Sequence, residues 1–170
     1  MRSGLEVDYR QVIIDSVIDQ LEQLKTSNQF GIQIKTIGVS KQTGENIKVL
    51  QEADMLPAMF YGYGDASENP GIAQNNEIGK TLLFALHVYF DKDAGDTYLV
   101  NTVAKMEDAF ATVIEIDMRD GINNDIEALG RSDEFQIINV RVSRSSALTL
   151  GLADIEARQI LFAIDWVYEV

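Results

Sequence analysis

The chain has 170 residues, 46% of them hydrophobic, enough to bury a sizeable core in a single domain spanning 1–170. It carries 27 Asp and Glu against 14 Lys and Arg, a formal net charge of −13 with no basic run, and it has no cysteine. That balance disfavours tight nucleic-acid binding, which needs Lys and Arg on phosphates, and the missing thiols exclude disulfides, thiolate metal sites and cysteine nucleophiles.

The N-terminal stretch is apolar in part, but Asp15, Asp19 and Gln20 interrupt it, so it lacks the continuous apolar core of a secretory signal. No apolar run reaches the length that spans a bilayer, about 18 residues or more. The expectation is a chain that meets no membrane and stays in the cytoplasm where it is made.

Along 9–25, Ile13, Ile14, Val17, Ile18, Leu21 and Leu24 recur at helical spacing opposite Asp15, Asp19, Gln20 and Glu22, which predicts an amphipathic helix. "GIQIKTIGVS" (31–40) alternates and then changes phase, as a strand with a bulge would. One or two helical turns are expected over 45–53, ending near Pro57. "AMFYGYG" (58–64) predicts a second strand, followed by a polar connection at 65–80 that is long enough to suggest a functional or unstructured loop. A third strand is expected over 81–91, then a turn, "DKDAGD". A second long helix follows over 97–116, with Leu99, Val103, Met106, Phe110 and Val113 on one side and Asp96 or Thr97 as its N-cap. The turn-rich 117–134 segment allows a short helix ending at Gly130. "FQIINVRVS" (135–143) predicts a fourth strand in which Phe135, Ile137, Asn139 and Arg141 share one side, and a final strand is expected over 159–170. Together these elements predict an α+β sandwich: one mainly antiparallel four- to five-stranded sheet with two long helices on one face.

Two stretches read nearly as copies: "LLFALHVYF" (82–90) and "ILFAIDWVY" (160–168). Because successive strand residues point to opposite faces, Leu82, Phe84, Leu86, Val88 and Phe90 fall on one face. Ile160, Phe162, Ile164, Trp166, Tyr168 and Val170 do the same, and both sets are large and apolar enough to lie against helices. The opposite faces are mixed, with Leu83, Ala85, His87 and Tyr89 on one strand and Leu161, Ala163, Asp165, Val167 and Glu169 on the other. Such a face suits a protein partner. The similarity is best explained by two central strands under the same packing demands. The only histidine, His87, aligns with Asp165, and if the strands are neighbours the two could face each other; a half-exposed structural histidine is the plainer reading, since no nucleophile or pocket accompanies it.

No pattern supplies a catalytic, cofactor-binding or metal site. One histidine cannot build a histidine metal centre. "DKDAGD" starts like a calcium loop at Asp91 and Asp93, but position five is Gly95, position six is Asp96 rather than glycine, and position twelve is Thr102 rather than Glu. "GYGDAS" (62–67) runs into a Pro-containing polar loop, with Asp65 where a phosphate would lie, so it is not a dinucleotide fingerprint.

Taken in order, "VIIDSVIDQLEQL", "LPAMFYGYGD", "LLFALHVYFD", "NTVAKMEDAFATVI", an arginine-bearing strand and "ILFAIDWVYEV" resemble the tail-terminator (minor tail or tail-completion) proteins of long-tailed bacteriophages, over roughly 9–170. The resemblance is one of layout and strand character rather than of a diagnostic motif. It implies a non-enzymatic α/β subunit of the virion tail, assembled in the bacterial cytoplasm. Copies would form a hexameric ring that caps the tail tube, ends its growth and offers the head-joining surface. The implied partners are copies of itself, the tail tube protein and head–tail connector proteins, with DNA passing an acidic channel without sticking; no cofactor is implied. Another neck, connector or tube component is the nearest alternative, and a small soluble enzyme the alternative of a different class. The 65–80 connection would then serve as an arm ordered by a neighbouring subunit.

Overall fold

In the computed structural model, the described residues are 3–23, 34–40, 56–91, 117–142, 146–148 and 155–169. The helix expected over 97–116, the turn at 92–96 and the helical turns at 45–53 lie outside them.

The elements are α1 (Ser3–Glu22), β1 (Thr36–Val39), β2 (Ala58–Tyr63), β3 (Ser67–Glu68), a 3-10 turn (Pro70–Ile72), β4 (Glu77–Asp91), α2 (Arg119–Ala128), β5 (Phe135–Val142), β6 (Ser146–Leu148) and β7 (Ile155–Glu169). The fold is α+β. Its sheet runs β1-β2-β4-β7-β5, with β3 also paired to β4 and β6 to β7. β1 and β2 are parallel and the other pairs are antiparallel, so the sheet is mainly antiparallel as expected; among the described residues its main path has five strands, with the short β3 and β6 paired beside it.

The spine is β4 against β7, paired along all fifteen residues of each strand, a ribbon roughly 50 Å long. Both strands start earlier than their apolar patterns predict: β4 at Glu77 instead of 81, and β7 at Ile155 instead of 159.

One face of this ribbon is the core. Leu82, Phe84, Leu86 and Val88 from β4, and Ile160, Phe162, Ile164 and Trp166 from β7, are buried in one cluster with Tyr9, Ile13, Ile14, Val17 and Leu21 of α1 and with Ile122 and Ile126 of α2. Both described helices therefore cover the same face. Their mutual contact carries a polar tie, the Ser16 hydroxyl donating to the Asp125 carboxylate, with Gln20 Nε2 donating to Ser16 Oγ at 3.2 Å.

α2 ends as the sequence suggested. Gly130 adopts φ +70°, with Gly130 N–H bonded to Glu127 O and Arg131 N–H to Ile126 O. This left-handed C-terminal motif satisfies carbonyls that the helix leaves open. Arg131 then turns back over Tyr9 and Phe135 and pairs with Asp8 (2.6 Å) and Glu134 (2.9 Å). It thereby links α1, the end of α2 and the start of β5.

β5 departs from strict alternation. Its register against β7 shifts between Ile137 and Asn139, leaving Ile138 as the extra residue of a bulge. Phe135, Ile137 and Val140 face the core, whereas Asn139 and Arg141 are exposed. The expected grouping of Asn139 and Arg141 with Phe135 and Ile137 is thus corrected by one inserted residue.

Candidate functional site

The near-copy in the sequence has a geometric counterpart. Phe84 and Phe162, aligned in the repeat, are also direct cross-strand partners, stacked with centroids 5.0 Å apart at an 8° interplanar angle. A local two-fold axis through this pair maps residues 82–90 onto 160–168. Residues aligned in the repeat are therefore two-fold mates, and away from the axis such mates lie apart. This corrects the juxtaposition considered for His87 and Asp165: His87 pairs with Gln159, and Asp165 pairs with Thr81.

The face away from the helices has three zones. In the middle, Leu83 is opposite Ala163 and Ala85 opposite Leu161, beside Gly62 of β2. The leucines are 57% and 41% exposed, which leaves an open apolar strip on a rigid ribbon. Towards the β2 side and the far ends of β4 and β7, Ala58, Phe60, Tyr89, Ile155 and Ala157 form a second, buried cluster.

At the opposite end lies a polar cluster built around Asp165, which is only 2% exposed. Its carboxylate accepts from Thr81 Oγ1 (2.7 Å), Arg141 Nε (2.7 Å), Arg141 Nη2 (2.9 Å) and Asn69 Nδ2 (3.4 Å). Burial alone would raise the acid's pKa. The hydrogen bonds from Arg141 and Thr81, with the charge of Arg141, outweigh that and hold it below the ordinary 3.8. The same pairing raises the pKa of Arg141, which still shows 58% of its side chain to solvent. The β5 bulge makes this two-pronged pair, because it places Arg141 on the face that carries Asp165.

Residues 65–76 close this end as a strap rather than as a free arm. β3 pairs with Thr81 and Lys80, and Asn69 N–H donates to Gly79 O at 2.8 Å. Asn69 Nδ2 donates to Thr81 Oγ1 at 3.0 Å as well as to Asp165. The strap crosses β4 so closely that a Cβ on Gly79 would lie 2.2 Å from the Asn69 carbonyl oxygen and 2.7 Å from Ile72. It returns to β4 through Asn76, which takes a left-handed φ of 66°, a conformation Asn tolerates better than most residues. The expectation of a 65–80 arm that orders only on a neighbour is therefore not met: within one chain the segment is folded onto its own sheet.

His87 sits at the other end of the open strip, half-buried. Its Nε2 is 3.2 Å from the Gln159 amide nitrogen and its Nδ1 3.5 Å from Ser40 Oγ. An amide nitrogen only donates, so Nε2 accepts and the ring hydrogen belongs on Nδ1, facing Ser40. Burial pushes the imidazole below its ordinary 6.5, which keeps it neutral at pH 7. Among the described residues, no carboxylate is hydrogen-bonded to the ring.

A shallow cleft at the strap end of the ribbon is lined by Glu77, Asp133, Glu134 and Glu169 beside Phe135, Val167 and Tyr168. Among the described residues, no three acidic or histidine side chains converge to hold a metal ion. None of the described helices is long and apolar enough to cross a membrane.

Sequence reading picked out His87 and Asp165 but missed the partners of Asp165. A carboxylate inside an apolar strand calls for a cation on a neighbouring strand, and Arg141 was the arginine of a predicted strand. The bulge hid their common face. No protein-family model matches the chain. No curated protein matches it significantly.

Proposed function

We propose that the protein is a non-enzymatic structural subunit of the tail-terminator kind. In this reading its copies assemble into a hexameric ring on the end of a phage tail tube, ending tube growth and presenting the head-joining surface. The observation that carries the proposal is the open apolar strip made by Leu83 and Leu161, 57% and 41% exposed, with the half-buried Ala85 and the buried Ala163 opposite them on a fully paired ribbon. Exposed leucines on a rigid sheet contribute to binding when a partner removes them from water. The strap stands above the sheet at Gly79, so a second flat sheet is hindered from lying along the whole ribbon. A single strand, helix or loop of a neighbouring subunit has access to the strip.

The long-tailed phage resemblance of the sequence supports the same reading. The partners in this proposal are other copies of the chain, the tail tube protein and head–tail connector proteins. The place of action is the virion tail, after assembly in the bacterial cytoplasm. The charge of −13 per copy lets DNA pass the ring without adhering.

The test is mass in solution by light scattering, with electron microscopy for rings, on the wild type and on Leu161→Asp and Leu83→Asp. Rings of six copies in the wild type and folded monomers in the variants are expected. A wild type that stays monomeric at high concentration and does not cap purified tail tubes would overturn the proposal. Submicromolar DNA affinity at moderate salt would remove the non-adhering channel from it.

A further inference from the structure

We draw no further inference here: the strongest candidate, the open apolar strip around Leu83 and Leu161 on the helix-free face of the sheet, already carries the proposed subunit contact, and nothing in the structure shows what covers it.

Discussion

The two faces of the β4–β7 ribbon are made by alternate residues of the same two strands, yet they obey different physics. On the helix side every cross-strand pair from Leu82–Ile164 to Leu86–Ile160 is apolar and buried, and the stacked phenylalanines mark its centre. On the other side the same two-fold relation places Asp165 and His87 at equivalent points, and their surroundings diverge. Asp165 is saturated by four hydrogen bonds from β4, β5 and the strap. His87 has one amide and one distant hydroxyl. A core face tolerates repetition because hydrophobic burial is non-directional, whereas a polar position depends on the particular groups that neighbouring elements bring to it.

The sharpest way to break this comparison is to truncate adjacent residues of β7. Phe162→Ala should lower stability by about 3–5 kcal/mol through lost burial and a cavity, while Leu161→Ala should stay within about 0.5 kcal/mol. Urea denaturation of both variants measures the difference, and similar losses would mean that Leu161 is buried after all.

Next in size is Arg141→Ala, which leaves a buried carboxylate with only neutral donors. A loss of about 1–3 kcal/mol is expected, less than for a fully buried pair because the Arg141 side of the contact is open to water. Adding Asp165→Asn to that variant should recover about 1 kcal/mol or more, because the uncompensated charge disappears. The pair also predicts an acid limb. The folded-state pKa of Asp165 lies below 3.8, so the unfolded chain binds more protons as the medium turns acidic. The stabilisation is complete above that ordinary value and is lost as pH falls through the lowered one. Stability measured against pH should show this slope in the wild type and a weaker one in Arg141→Ala.

Gly79→Ala tests the strap. The new methyl meets backbone rather than a flexible side-chain tip, so a loss of about 1–3 kcal/mol is expected, with faster amide exchange at Asn69. Unchanged exchange would mean that the crossing is looser than described. The smallest effect belongs to His87. Its pKa is lowered from 6.5 by burial, so its contribution is present above pH 6.5 and fades as pH falls through the lowered value. An NMR titration should give a midpoint below 6.5, and His87→Gln should remove that shallow slope from the stability profile.

Much of the frame was legible in the residues. Period-two alternation assigned the faces of β4 and β7 correctly, and Gly130 marked the end of α2. What escaped depended on backbone partners. Glu77, Gly79 and Lys80 look like loop, but they pair across to Glu169, Val167 and Trp166 of β7. Strap residues 67–72 are polar because Asn69 answers Thr81, Asp165 and the Gly79 carbonyl, none of them near in sequence. Arg141 was assigned to the wrong face because a single extra residue, Ile138, inverts everything after it. The match of His87 to Asp165 was sound as an alignment and misleading as a contact, since antiparallel neighbours run the repeat in opposite directions.

Besides the Arg131 link, a side-chain clasp joins α2 to β5. Asn123 donates to Ile137 O at 3.1 Å and accepts from Ile137 N at 2.9 Å, imitating with one carboxamide the rung that a further strand would supply. An incoming chain that tried to lengthen the sheet here would first have to evict that side chain, then match a margin kinked by the bulge next to it. β5 is an edge of the sheet among the described strands, and at this rung that edge is shut against indefinite stacking of one molecule upon the next.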